Sequence, residues 1–183
     1  MAEGTPAKVL CVCTGNICRS PAMEKYLQRA WGNHAVVTSA GTYAMVGWEV
    51  PDLMLTAMSR VKLDAMEHEP AQLEVDDIRS YDLVIVASPE HRQWIGQRVG
   101  AYPANVFLAT EAAELAAATQ CPTTGPLEDR IRAAAPTWHK QRADQPPSRH
   151  EGILDPYGRG VDDHHTSMAQ ITAALEPIVA WTQ

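Results

Sequence analysis

Between Val9 and Val12 the chain is continuously apolar, with Pro6 before the run and Gly15-Asn16 after it. A short apolar run bounded by turn formers predicts a strand buried on both faces. Ser20-Pro21-Ala22-Met23-Glu24 then reads as a helix start, with Ser20 at the cap, Pro21 in the first position and Met23, Leu27 and Ala30 on one face. Ala35–Thr38 predicts a second strand, closed by Ser39-Ala40-Gly41. Met54, Met58 and Val61 form the stripe of a helix from about Pro51 to Val61. Residues 82–87 are the strongest strand signal; Ser88-Pro89-Glu90 opens another helix, Asn105–Leu108 a fourth strand, and Glu111–Ala118 an alanine-rich helix.

From Cys121 to Asp155 the pattern breaks. Pro122, Pro126, Pro136, Pro146 and Pro147 interrupt it, and His139, Lys140, Arg142, Arg149 and His150 make it basic. Leu127–Ala135 is compatible with a short helix, and the rest reads as a long loop at about 121–154, either solvated or a lid contacting a second anionic group. A final helix begins near Val161, with Met168, Ile171, Leu175 and Ile178 on one stripe and Pro177 bending or ending it. Alternating strands and helices predict a single α/β domain over 1–183 with a parallel sheet. In such folds ligands bind beyond the carboxyl ends of the strands where strand order switches, which points to the loop after the first strand.

Composition narrows the function. The 183 residues carry 15 Lys+Arg against 22 Asp+Glu, a formal charge of −7, which argues against a nucleic-acid or anionic-membrane surface. No apolar run approaches the roughly 20 residues of a membrane span, and the first residues lack the layout of a secretion signal, so a cytoplasmic protein is expected. Cys11, Cys13 and Cys18 crowd into eight positions of a cysteine-poor chain, which suggests thiol chemistry; no paired Cys or His supports a metal.

The loop reads Cys13-Thr14-Gly15-Asn16-Ile17-Cys18-Arg19-Ser20. A loop that wraps into a helix start aims its N–H groups at an anion. Gly15 and Asn16 tolerate the positive φ of a tight cradle, and the Arg19 fork can grip two oxygens. The same field favours a thiolate, so Cys13 is read as a nucleophile, Arg19 and the Thr14–Ser20 amides as the phosphate-binding set, and Ser20 as a hydrogen-bond donor to the sulfur. Asp155, in Asp155-Pro156-Tyr157-Gly158, is the candidate acid for the leaving group, with Tyr157 as an aromatic wall. No cofactor is needed for this chemistry.

The stretch Val12 to Glu24 resembles the signature of the low-molecular-weight protein tyrosine phosphatases, and Ser39-Ala40-Gly41-Thr42 and Asp155-Pro156-Tyr157-Gly158 fall where that family has its second-strand turn and acid loop. The resemblance is weakest between about 119 and 150. It implies a three-layer sandwich with a central four-stranded parallel sheet and helices on both faces. It also implies Cys13 as nucleophile, Arg19 as clamp, Asp155 as general acid, Asn16 and Ser20 as loop supports, and Cys18 as a thiol able to protect Cys13 by a disulfide. Ile17 matches the tyrosine-directed branch; the arginine phosphatases carry threonine there. The segment Tyr43-Ala44-Met45-Val46-Gly47-Trp48 occupies the rim loop, making Tyr43, Met45 and Trp48 substrate-rim candidates.

The leading expectation is a phosphotyrosine hydrolase working on a phosphorylated protein, as a monomer or weak dimer. One alternative keeps the chemistry and takes a small phosphorylated metabolite; another is a phosphate-binding module without turnover. Other residues read more plainly: Cys11 as strand packing, Cys121 as an ordinary loop thiol, and His164-His165 as a solvated helix start. His91-Arg92 opens a helix near the carboxyl end of the third strand and reads as a surface helix face, the alternative being a contact with substrate; Met45, Met54, Met58 and Met66 read as core filler.

Overall fold

The computed structural model describes residues 4–144 and 150–183. Four strands, β1 (Ala7–Cys13), β2 (Ala35–Gly41), β3 (Leu83–Val86) and β4 (Val106–Leu108), form one parallel sheet in the order β2-β1-β3-β4. Alternation along β1 sends Val9, Cys11 and Cys13 to one face and Leu10 and Val12 to the other. Both faces are buried, which is why the strand is apolar without interruption.

The layers are unequal. The face of Val9, Cys11, Leu83, Ile85 and Phe107 packs against α1 (Arg19–Trp31), α2 (Asp52–Ser59), α4 (Ala109–Ala118), α5 (Leu127–Asp144) and α6 (Val161–Thr182). The opposite face, with Leu10, Val12, Val84, Val86 and Val106, is covered by α3 (Pro89–Val99) and by the 3₁₀ turn at Val75–Ser80. This is the α/β three-layer sandwich with a central four-stranded parallel sheet. The order reverses direction at β1, so the loop following Cys13 sits at the switch point. No helix of the described residues is long and apolar enough to cross a membrane.

Two elements and two side-chain placements depart from the sequence reading. Residues 127–144 are one helix, α5, where a loop was expected beyond Ala135. Pro136 interrupts the main-chain ladder there, but Ile131, Ala134, Ala135 and Trp138 are buried on one stripe that spans the proline, and Trp138 packs edge-on against Phe107 and Trp181. Core packing overrides the local cost of about 3 kcal/mol. By the same logic α6 continues through Pro177 to Thr182, anchored by Ile178 and Trp181. His164 is buried, not solvated; its Nδ1 lies 2.8 Å from the Gly160 carbonyl oxygen at the start of α6. Met54 and Met58 are core residues, whereas Met66 is exposed.

The basic set is divided accordingly. His139, Lys140 and Arg142 lie on α5, while Pro146, Pro147 and Arg149 fall outside the described residues. Arg142 is no lid residue. Its Nε stands 2.7 Å from Oε1 of the buried Glu111, and its guanidinium covers the Phe107 ring at 4.1 Å. Arg92 joins the same carboxylate at 3.6 Å.

Candidate active site

The loop from Cys13 to Cys18 joins the carboxyl end of β1 to the first turn of α1. Among the described residues, no main-chain acceptor pairs with the N–H groups of Gly15, Asn16, Ile17 or Cys18. These donors, with the unpaired first-turn amides of α1, make an anion cradle. Helix α1 begins at Arg19 with Cys18 as its cap residue, two residues earlier than the sequence suggests. Ser20 is therefore not the cap. Its hydroxyl turns back to Cys13, with Oγ 2.9 Å from Sγ.

A hydrogen-bond chain fixes that hydroxyl. The Asn16 amide donates to Ser20 Oγ at 2.8 Å and to Ser39 Oγ at 2.9 Å, and Ser39 donates to Glu24 Oε2 at 2.5 Å. Asn16 Oδ1 accepts the Ala71 N–H at 2.8 Å, so the fully buried amide is satisfied at both ends. Because Ser20 Oγ accepts from Asn16, its own proton is free to be donated to the Cys13 sulfur. Asn16 holds the positive φ of the turn, at 57°. Gly15 does not take positive φ; a Cβ there would press on Met45 at 3.3 Å, so it serves close approach.

The second wall is tied to the first through main chain. Thr42 N donates to the Cys13 carbonyl oxygen, Tyr43 N to that of Thr14 and Met45 N to that of Gly15, at 2.9–3.0 Å. Gly41 makes this possible, since a Cβ at that position would lie 2.3 Å from the Thr14 oxygen. On the other side the segment 152–155 crosses the end of β3, with Ile153 N donating to the Ala87 carbonyl oxygen at 2.8 Å. Arg19 Nη1 donates to the Ile153 carbonyl oxygen at 3.2 Å, and Nη2 pairs with Asp155 Oδ2 at 2.9 Å. Arg19 Nε is buried and has no hydrogen-bond partner among the described residues.

These pieces enclose a cleft of about 180 Å³ lined by Cys13, Arg19, Tyr43, Met45, Asp155 and Tyr157, with Thr14, Gly15, Ile17 and Cys18 completing its floor. Asn16 and Ser20 stand behind that floor as supports. Trp48, expected at the rim, lies outside the cleft and lines a different groove, because the chain turns away after Met45.

Two histidines brace the loop, of which the sequence singles out only His91. His91 is buried, against the expectation of a surface face. Its Nε2 lies 2.8 Å from Thr14 Oγ1 and its Nδ1 2.9 Å from Ser88 Oγ. Burial, reinforced by the Arg19 charge, pulls its pKa down to about 4, so the ring is neutral at pH 7. A neutral ring offers one donor and one acceptor, which matches two hydroxyl partners. His68 Nε2 donates to the Asn16 carbonyl oxygen at 2.9 Å, and burial also lowers its pKa. Neither contact has a local signature in sequence, since the partners lie 77 and 52 residues away. Burial pushes the Cys18 thiol up to about 12, with the nearby Cys13 and Asp155 adding to it, and Cys11 is raised as well. Both are neutral thiols.

An α/β sheet with a thiol-bearing oxyanion cradle at its switch point defines the class. A sequence model described as low molecular weight phosphotyrosine protein phosphatase matches residues 8–131, and the chain belongs to that family. Among curated relatives, the low molecular weight protein-tyrosine-phosphatase Ptp of Acinetobacter johnsonii is 33% identical over 89 residues. That match covers 49% of this chain and 62% of the relative. A protein-arginine-phosphatase of Bacillus subtilis is 31% identical over 106 residues, 56% of this chain and 70% of the relative. Among solved structures, Vibrio vulnificus Wzb in complex with benzylphosphonate aligns with a TM-score of 0.68 at 23% identity, covering 95% of this chain and 97% of that one. The likeness supports the fold.

Proposed function

We propose that the protein is a metal-independent phosphomonoester hydrolase that removes phosphate from tyrosine residues of a phosphorylated protein through a cysteinyl-phosphate intermediate. The observation that carries this reading is the Ser20 hydroxyl held 2.9 Å from the Cys13 sulfur at the floor of a cradle whose Arg19 Nε and loop amides have no acceptor among the described residues. A phosphoryl group satisfies those donors, and the donors in turn hold its charge as it transfers.

In this reaction Cys13 Sγ attacks phosphorus and the ester P–O bond breaks. Asp155 gives its proton to the departing phenolate oxygen. The Asp155 carboxylate then takes a proton from water, the hydroxide oxygen bonds to phosphorus, and the S–P bond breaks to release inorganic phosphate. Arg19 grips the equatorial oxygens throughout. Its pair with Asp155 keeps the carboxyl group over the cleft until phosphate competes for the guanidinium. Cys13 must remain a reduced thiol, which suits a cytoplasmic setting.

Substrate class follows from the walls. Tyr43, Met45 and Tyr157 form an aromatic and thioether slot suited to an aryl ring, and Ile17 keeps the floor beside the cradle apolar. The metabolite alternative leaned on a basic lid, and Arg142 is instead committed to Glu111. The test is turnover of phosphotyrosyl, phosphoseryl and phosphoarginyl peptides and a panel of metabolite phosphates by wild type and Cys13→Ser. Preference for the phosphotyrosyl peptide, lost in the variant with vanadate binding retained, is the expected result. Equal or better turnover of another class overturns the substrate assignment.

A further inference from the structure

The loop that walls the cleft has a second side. Tyr43 and Met45 face Cys13, and immediately beyond them the chain borders a groove of about 850 Å³. Val46, Trp48 and Glu49 line it from one stretch of chain, and Met66, Glu67 and Glu69 from another. Val46, Trp48 and Met66 are 65%, 60% and 73% exposed. Large apolar side chains gathered in one concavity mark a contact surface rather than ordinary exterior. Glu49, Glu67 and Glu69 make no ion pair among the described residues. The groove thus combines exposed apolar side chains with three carboxylates.

That chemistry selects the occupant. Anionic lipid is repelled by the three carboxylates, and a second copy seated on the same face would set carboxylates against carboxylates. A segment with apolar side chains flanked by Lys or Arg meets both features. Position selects its source. The groove shares the 43–48 loop with the cleft, so a chain leaving the cleft over Met45 enters it. His68, which also lines the groove, bonds the Asn16 carbonyl oxygen and so ties the groove to the cradle.

We propose that this groove docks an apolar and basic segment of the phosphoprotein substrate, next to its phosphorylated residue; this rests on the phosphatase reading above. The segment buries apolar side chains against Val46, Trp48 and Met66, and its cations pair with Glu49, Glu67 and Glu69.

The test compares phosphotyrosyl peptides that share a core and differ in a tail of Leu and Lys or of Ser and Glu, with p-nitrophenyl phosphate as a substrate too small to reach the groove. The Leu/Lys tail is expected to lower KM about ten-fold at unchanged kcat, equivalent to about 1.4 kcal/mol. Glu49→Lys/Glu67→Lys and Met66→Ala are each expected to erase that advantage and leave p-nitrophenyl phosphate turnover as in wild type. Equal KM for both tails overturns the proposal. If wild type hydrolyses no aryl phosphate, the phosphatase reading fails instead, and anisotropy of the labelled, unphosphorylated Leu/Lys tail still decides the groove. Binding lost in Glu49→Lys/Glu67→Lys supports it. Equal binding of the Ser/Glu tail, association with anionic vesicles, or a dimer in sedimentation that the charge reversal abolishes overturns it.

Discussion

His91 Nε2 lies 2.8 Å from Thr14 Oγ1, which makes the first turn of α3 a brace for the loop that carries Cys13. The brace is pH-sensitive with a definite sign. The ring titrates near 6.5 when unfolded and at about 4 in the fold, so between those values the unfolded chain binds more protons. Its contribution to stability is full above about pH 6.5 and is lost as pH falls through about 4, a change of up to about 3 kcal/mol. His91→Gln keeps a donor and an acceptor without titrating. Urea unfolding at pH 7 and pH 4.5 is expected to show a larger loss for wild type than for the variant. Equal losses mean the ring is not held neutral.

The Arg19–Asp155 pair joins the cradle to the acid loop, and the two ends have different exposure. The Arg19 side chain is 6% exposed and that of Asp155 50%. A half-exposed pair contributes at most about 1 kcal/mol to stability, so Asp155→Asn is expected to leave the thermal midpoint nearly unchanged. Its effect falls on rate: poor leaving groups slow more than activated aryl phosphates, because only they need the proton. Equal slowing across a leaving-group series removes the acid role. Arg19→Lys cannot present two parallel donors, and the loss of one preorganised contact costs about 2.7–4 kcal/mol in kcat.

Gly41 is required by approach, not by backbone dihedral. A Cβ there meets the Thr14 carbonyl oxygen at 2.3 Å and the Ala44 Cα at 3.0 Å, both main-chain atoms that cannot swing aside. Gly41→Ala is expected to push the 42–45 wall off the cradle, with a loss of stability of about 1–3 kcal/mol and a rise in KM. Gly160→Ala is the control, since nothing lies within 4 Å of that Cβ. Denaturation midpoints and aryl phosphate kinetics for both variants check the contrast.

Much of this was legible in residue order. The continuous run Val9–Val12, the strand at 82–87 and the Cys13–Ser20 motif each carry their meaning in a few adjacent positions. The uneven outcomes arise where distant packing decides. Pro136 and the charges at 139–142 look like a loop until Trp138 is seen between Phe107 and Trp181. Arg142 looks like a free cation until Glu111 is found beside it. Ser20 looks like a cap, yet the cap falls two residues earlier, at Cys18, and frees the Ser20 hydroxyl for Cys13. His91 and Trp48 exchange standing, one buried at the site and the other turned away from it, because neither backbone path is encoded locally.

The sulfur chemistry separates three thiols within eight positions. Alkylation consumes thiolate, so reactivity follows ionisation and access. Burial pushes Cys18 up to about 12 and raises Cys11 as well. At pH 6.5 the thiolate fraction of Cys18 is then on the order of one in 10⁵ or less. Cys13 faces the cleft and takes a hydrogen bond from Ser20. Iodoacetamide at pH 6.5 is therefore expected to label Cys13 selectively over Cys11 and Cys18, to be blocked by vanadate seated in the cradle, and to reach the other two only after unfolding. Ser20→Ala is expected to slow the labelling without changing its site. Mass-spectrometric mapping of the labelled peptide reads all three outcomes, and native labelling of Cys18 at a rate matching Cys13 contradicts the arrangement.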